Sequence, residues 1–397
     1  MTVEKKVPEI RFTGFSGEWT EKELNKEVEL FSGLTYSPKD VRKEGVFVIR
    51  SSNVKNGQLV NADNVYVNPE VVNCSNVKKG DIIVVVRNGS RSLIGKHAQV
   101  NSCMAQTVIG AFMTGFRGKQ PEFINALFDT KQFTAQVEKN LGATINQITN
   151  GAFNSMVFMF PEELEQTSIG NIIQKIDSLI NQHQQKHDKL SHLKKAMLER
   201  CFPKQGETVP EIRFKGFVGE WEEMELSDEV TFINGRAYSQ EELQVKGKYK
   251  VLRVGNFYTN SSWYYSDMEL GDKYYADFGD LLYTWSASFG PHIWNGDKVI
   301  YHYHIWKLEL SKKVDKLFLL HLLDYDRAKI LSGSNGSTMI HITKSAMEAK
   351  KVFVPKKDEQ IAIGNYFQKL DTLIDQHQQQ ITKLTNIKQA CLSKMFV

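Results

Sequence analysis

Ile169-Gly-Asn-Ile-Ile-Gln-Lys-Ile-Asp-Ser-Leu-Ile-Asn-Gln-His-Gln-Gln185 returns near the end of the chain as Ile363-Gly-Asn-Tyr-Phe-Gln-Lys-Leu-Asp-Thr-Leu-Ile-Asp-Gln-His-Gln-Gln379. The surrounding stretches, Pro161 to Phe202 and Pro355 to Phe396, align over 42 positions, of which 21 are identical. An internal repeat of this clarity fixes the architecture before anything else is read. In the second copy a mostly apolar seam falls at Ile363, Phe367, Leu370, Ile374, His377, Ile381, Leu384 and Lys388. The first copy places Ile169, Ile173, Ile176, Ile180, His183, His187, Leu190 and Lys194 in the same way. Steps alternating between four and three mark a helical heptad seam. About 40 residues at ~1.5 Å each make a rod of about 60 Å. A stripe of this length needs an apolar partner, and the other copy supplies the matching one, so the two helices are expected to pack on each other. Pro161 with Glu162 and Glu163 suits the first helical turn. Asp358 suits the cap of the second helix.

The repeat extends outward. Val7-Pro-Glu-Ile-Arg-Phe-Thr-Gly-Phe-Ser-Gly-Glu-Trp19 recurs as Val209-Pro-Glu-Ile-Arg-Phe-Lys-Gly-Phe-Val-Gly-Glu-Trp221. Gly33 and Gly235, Arg50 and Arg253, Asn53 and Asn256, and Asp81 and Asp280 continue it. So do Gly142, Thr144 and Thr149 with Gly336, Thr338 and Thr343. Between these anchors the halves differ, which describes one scaffold carrying two surfaces. Strands are expected at 46–54 and 82–86, then at 249–254, 280–285 and 299–308. Helical stretches are expected at 121–141 and 314–331. The expected fold class is α+β, with two pseudo-symmetric globular domains separated by two long helices packed as an antiparallel coiled coil. The expected boundaries are 1–160 for the first domain, 161–202 for its long helix, 203–354 for the linker and second domain, and 355–397 for the second helix.

Composition is permissive. With 397 residues and 41% hydrophobic content, two or three cored domains are available. The net charge of +4 is uneven: Lys+Arg minus Asp+Glu is 25 minus 21 over residues 1–202 and 25 minus 25 over 203–397. That allows a nucleic-acid partner without requiring one. There is no long apolar run and no apolar leader, so a cytoplasmic protein with no membrane role is expected. Four scattered cysteines suggest neither a disulfide framework nor a zinc site.

No catalytic motif stands out. The chain has no Pro-Pro pair, so the Asn/Asp-Pro-Pro-aromatic loop of amino-methylating enzymes is absent. Gly89 to His97 imitates a phosphate loop with the wrong spacing, and His97 stands where a magnesium-binding hydroxyl belongs. No catalytic residue and no metal site is expected. Several clusters suit DNA instead. Arg87-Asn88-Gly89-Ser90-Arg91-Ser92, with Lys96 beyond it, offers two guanidinium forks, an amide and hydroxyls. Arg reads guanine bidentately and Asn reads adenine in the major groove. A solvated hairpin loop fits the same residues. Arg50-Ser51-Ser52-Asn53 is a polar exit from a strand. Lys248, Lys250, Arg253, Asn256 and Tyr258 form a second group, equally readable as a solvated strand face. Ser286, Ser288 and His292 sit among aromatics in Thr284 to Trp294, where at least one of Trp285 and Trp294 is expected in the core. Gln147 and His341 follow the recurring Gly-x-Thr turns, either as DNA contacts or in a purely structural turn.

The duplicated half-chain, with Gly80-Asp81-Ile82, Gly89-Ser90, Ile94-Gly95-Lys96, Gly-x-Thr…Ile-Thr and Pro…Glu-Gln…Ile-Gly, resembles the specificity subunits of type I restriction-modification enzymes over essentially its whole length. The Ile-Gly-Lys part occurs only in the first half. The resemblance implies a non-catalytic DNA-recognition subunit in which each domain reads one half of a split, asymmetric sequence in double-stranded DNA. It implies that the helices set the spacer and dock two methyltransferase subunits, with restriction subunits joining that core. It also implies no cofactor on this chain, S-adenosylmethionine being held by the partner. The alternatives are a single-chain restriction-modification enzyme with its own activity and a coiled-coil adaptor without a DNA role.

Overall fold

A computed structural model of the chain describes residues 6–141, 146–258, 260–286, 288–333 and 342–397. They form two compact units that are not consecutive in sequence. The first is residues 1–184 with 379–397, and the second is residues 185–378. Each unit therefore contains the beginning of one long helix and the end of the other. The helices run Glu163–Cys201 and Lys357–Lys394. Pro161 precedes the first helix rather than opening it, and its carbonyl accepts a bond from Gln166 Nε2 at 3.0 Å. Pro355 does the same for Gln360 at 2.9 Å.

In the first unit, Val28–Ser32, Met113–Gly118, Ile82–Val85 and His97–Gln99 form an antiparallel sheet in that order. A second sheet has the order Thr107–Ile109, Val46–Ile49, Val65–Val67, Val41–Arg42, with its first pair parallel. The second unit repeats the first sheet strand for strand and three strands of the second, whose fourth strand, Tyr275–Ala276, lies on the opposite edge. Val230–Asn234, Ile305–Leu310, Leu281–Thr284 and Gly290–Ile293 form the antiparallel sheet, and Tyr249–Leu252 again pairs in parallel, with Val299–Tyr301. The strands fall where branched and aromatic residues cluster, but three expected elements are divided. The strand over 46–54 ends at Ile49, because Ser51–Asn53 turn in a 3-10 helix. The strand over 299–308 breaks at a turn after Tyr301. The helical stretch at 121–141 is two helices, Pro121–Phe128 and Lys131–Asn140, because the Thr130 hydroxyl accepts from Phe133 N at 3.3 Å and caps the second.

The opening motif secures each long helix to its unit. Arg11 donates from Nε and Nη2 to the two oxygens of buried Glu165 at 2.7 and 2.6 Å, and from Nη1 to the Gly17 carbonyl at 2.6 Å. Arg213 meets Glu359 in the same fork at 2.7 and 2.7 Å. Trp19 and Trp221 are buried beside the helix ends. Trp19 lies edge-on to Phe123 and Phe396, and Trp221 lies edge-on to Phe202 and Phe318. Gly170 and Gly364 let the helices close on the domains. A Cβ at Gly170 would lie 2.6 Å from Phe123 N, and one at Gly364 would lie 2.8 Å from Phe318 N.

Within each unit the two helical segments run antiparallel. In the first, Ile169 and Ile173 share a core with Leu392, Met395 and Phe396, while Asp177 pairs with Lys388 at 2.6 Å. In the second, Ile363 and Phe367 meet Phe202, while Asp371 pairs with Lys194 at 2.6 Å. The step from Asp177 forward to Lys194 is 17 residues, as is the step from Lys388 back to Asp371, so both units use one register. The seam lysines thus have a role. Lys388 bridges Asp177 and Asp129 (2.7 Å), and Lys194 bridges Asp371 and Asp324 (3.7 Å). Burial raises the Asp177 and Asp371 carboxyls, and the facing lysine opposes this.

Candidate nucleic-acid interface

The first candidate surface begins where Val46–Ile49 ends. Arg50 is still extended, and the chain then tightens through Ser51, Ser52 and Asn53. Asn53 is 1% exposed. Its Oδ1 accepts Arg50 N at 2.9 Å, and its Nδ2 faces the carbonyls of Val60 (3.2 Å) and Ala62 (2.7 Å) and Asn64 Oδ1 (3.1 Å). Asn256 repeats this, accepting Arg253 N at 3.0 Å and donating to Asn260 O at 3.1 Å and Ser262 O at 2.9 Å. An amide whose bonds are already made inside the protein would have to give them up to reach a base. Both asparagines therefore shape the turn and position the preceding arginine, in contrast to the expectation that they contact DNA.

Those arginines remain half-buried at the surface. Arg50 Nη2 donates to Asp63 O at 2.5 Å, and Arg253 Nη2 donates to Ser262 O at 3.2 Å. Arg253 also lies over the Tyr264 ring at 4.3 Å. In both, Nε is buried without a hydrogen-bond partner, as is Ser52 Oγ. Asn88 joins the next loop to this turn through Nδ2 to Ser51 Oγ at 3.2 Å. Arg87 is exposed, bridges to Gln147 through the backbone, and stands over the Phe112 ring at 5.0 Å. Arg50, Ser51, Ser52, Arg87, Asn88 and Gln147, distant in sequence, thus meet on one surface.

The rest of the loop turns elsewhere. Ser90 and Ser92 bond each other at 2.9 Å, and Arg91 opens a 3-10 turn at Arg91–Leu93. Arg91, Ser92 and Lys96 line a cavity of about 670 Å³ that also contains His97, Asp129 and Glu138. They form a second basic group beside the first.

In the second unit the candidates diverge. Lys248 forms an ion pair with Glu269, which Tyr249 Oη also contacts at 3.1 Å. That bond to Lys248 pulls the Glu269 carboxyl down and raises the Lys248 amine. Lys248 is therefore a paired cation on the surface. Lys250 is exposed and lies over Trp263 at 5.4 Å. Tyr258 is exposed, with its hydroxyl 3.3 Å from His292 Nε2. His292 stacks on Phe257 at 4.2 Å. Burial, with Arg327 nearby, holds it down at about 4, so it is a neutral ring at pH 7 and not a phosphate-binding cation. Ser286 is half-buried and Ser288 exposed. Trp285 stacks on Trp306 and donates to Tyr303 O at 2.8 Å, whereas Trp294 donates to Asp297 O at 2.8 Å. Both are half-buried. His341, with Gly142, Thr144, Gly336 and Thr338 of the recurring turns, lies outside the described residues.

The backbone equates the two surfaces position by position. Val86 N donates to Phe112 O at 2.9 Å, and Ile148 N to Val86 O at 3.0 Å. Trp285 N donates to His304 O at 3.1 Å, and Ile342 N to Trp285 O at 3.5 Å. Trp285 thus replaces Val86, and His304 replaces Phe112. Phe112, Tyr264 and Tyr303 are surface rings that the sequence reading missed. Their only sequence signal is an aromatic placed one or two residues from a turn or strand end.

Residues 16–192 and 219–386 match the type I restriction modification DNA specificity domain. The chain is 23% identical over 417 residues to the type I restriction enzyme StySPI specificity subunit of Salmonella potsdam, covering 95% of this chain and 88% of that one. It is 26% identical over 182 residues to the MjaVIII specificity subunit of Methanocaldococcus jannaschii, covering 45% and 42%. In fold it is similar to the S subunit of a type I restriction-modification system from M. genitalium, with a TM-score of 0.64 at 16% identity over 98% and 99% of the two chains. The two matches span both halves of a duplicated scaffold whose polar turns, arginines and surface rings differ from one half to the other, and the chain belongs to the type I restriction modification DNA specificity family.

Proposed function

We propose that the chain is a non-catalytic specificity subunit in which each unit reads one half of a split, asymmetric target in double-stranded DNA. The carrying observation is that equivalent backbone positions hold different chemistry: Val86, Arg87 and Phe112 in one unit, Trp285, Ser286 and His304 in the other. One scaffold used twice presents the same edge to a groove, and different side chains on it select different bases. The recognition parts are 1–160 and 203–354. The long helices at 161–202 and 355–397 act as the spacer and as the docking surface for two methyltransferase subunits, which hold S-adenosylmethionine, and restriction subunits join that assembly. The protein works in the cytoplasm; among the described residues no helix is long and apolar enough to cross a membrane.

The test is reconstitution. The chain with methyltransferase subunits should protect and methylate a discrete two-part sequence, identified by methylation profiling with and without the chain. The chain alone should neither methylate nor cut DNA. Activity of the chain alone would favour the single-chain enzyme instead, and a complex with no sequence preference would favour a structural adaptor.

A further inference from the structure

We propose that the turns at 110–112 and 302–304 are the base-contacting parts of the two units, with Phe112 and Tyr303 as the rings that meet the bases. This rests on the DNA-reading function above and names residues for it. The turns are equivalent by construction. A Cβ at Gly33 would lie 2.1 Å from the carbonyl oxygen of Gly110, and one at Gly235 would lie 2.4 Å from that of His302, so each turn is seated against the glycine that follows the first strand of its sheet. Both present large rings to solvent. Phe112 is 53% exposed and Tyr303 39% exposed, whereas Phe116, Phe123, Phe128, Phe133 and Phe153 are all buried. A lone exposed ring is ordinary on a protein surface, so it is the groups beside these rings that identify a partner.

The surroundings identify the partner. The Arg87 guanidinium sits 5.0 Å above Phe112, and a Cβ at Gly110 would lie 3.8 Å from Arg50 Cγ. Among the described residues neither Arg50 nor Arg87 forms an ion pair. A ring under one such cation, on a turn that touches the side-chain stem of the other, fits a polyanion with a flat apolar interior, which is duplex DNA. The cations hold phosphates while the ring meets a thymine methyl or enters a base step. In the second unit Tyr303 lies between His302 and His304, with ring centroids at 4.4 and 3.9 Å. Burial, then His304 and Arg253, push His302 down to about 4, so beside Tyr303 it is a neutral ring with polar edges. Phe112 has no hydrogen-bonding group and Tyr303 has a hydroxyl. The two half-sites are therefore met by different chemistry from adjacent positions of equivalent turns, since Phe112 aligns with His304 and Tyr303 is one residue before it.

The experiment uses the full chain assembled with methyltransferase subunits, carrying Phe112→Ala or Tyr303→Ala. Binding is measured to the cognate duplex and to duplexes with the first, second or both half-sites scrambled. Each variant should lose about tenfold in discrimination at one half-site, a different one for each, with unchanged binding to the doubly scrambled duplex. Wild-type behaviour, or an equal loss on every duplex, would overturn the proposal. So would a clearly lowered melting temperature, because the ring would then belong to the fold. If the wild-type complex itself discriminates no sequence, the DNA-reading function fails instead.

Discussion

Replacing Arg11 with Ala should destabilise the first unit far more than a surface change would. Glu165 is 1% exposed, and the Arg11 side chain is 15% exposed. The guanidinium meets the carboxylate at 2.7 and 2.6 Å and ties the Gly17 and Ser16 carbonyls at 2.6 and 3.2 Å. Its removal leaves a buried carboxylate with no cation. Breaking such a pair from one side costs about 3–5 kcal/mol. Because water can enter from the Arg11 side, the expected loss is near the lower end, about 3 kcal/mol. For a unit of about 200 residues this is a fall in melting temperature of roughly 6–12 °C. The double change Arg11→Met with Glu165→Leu should recover most of the loss, since apolar replacement of a whole buried pair is close to neutral. Calorimetry of the full chain gives both numbers. Arg213→Ala provides the matching experiment on Glu359 in the second unit. A loss below about 1 kcal/mol for Arg11→Ala, or a double variant as unstable as the sum of the single ones, would refute the reasoning.

Gly170→Ala should lower stability by about 1–3 kcal/mol in chemical denaturation, against the gain of about 1 kcal/mol that helix propensity alone would give. The added Cβ would meet the Phe123 backbone at 2.6 Å, and a stabilised variant would show that the contact relaxes freely. His321 is 1% exposed, and burial pushes it down to about 3 from an ordinary 6.5. The unfolded chain then binds the extra proton as pH falls below 6.5, so this stability is complete at pH 7 and is lost toward pH 3. Between pH 7.5 and 4.5 the His321 share of the loss should be about 2–3 kcal/mol in the second unit, beside the shares of His292 and His302, which burial also holds down, and His321→Leu should reduce the pH dependence by that share in an acid titration of stability. Unchanged pH dependence in that variant would contradict the assignment. Arg91→Ala should cost about 1–3 kcal/mol on the cognate duplex if its guanidinium reads a base, whereas equal loss on scrambled DNA in a binding competition would make it a phosphate contact.

The sequence alone determined the duplication, the two long helices and their heptad seam, because these are local or periodic properties that 21 shared positions make plain. It also placed Arg50, Arg87 and Arg253 near turns, since strand patterns and polar loops are short-range. It could not separate reader from scaffold. Asn53 and Asn256 look like exposed amides in a polar run, yet segments several residues away fill their hydrogen bonds. Lys248 looks like a free cation until Glu269, on a different strand connection, reaches it. Lys194 and Lys388 look like faults in an apolar seam until each meets two aspartates, one from the other long helix and one from a domain helix (Asp324) or its C-terminal cap (Asp129). Phe112 has the hydrophobicity of a core residue, yet it is 53% exposed on the turn whose Gly110 is seated against Gly33. Burial and bond saturation are set by chain segments far apart in sequence, so tertiary structure alone decided which side chains remain available to DNA.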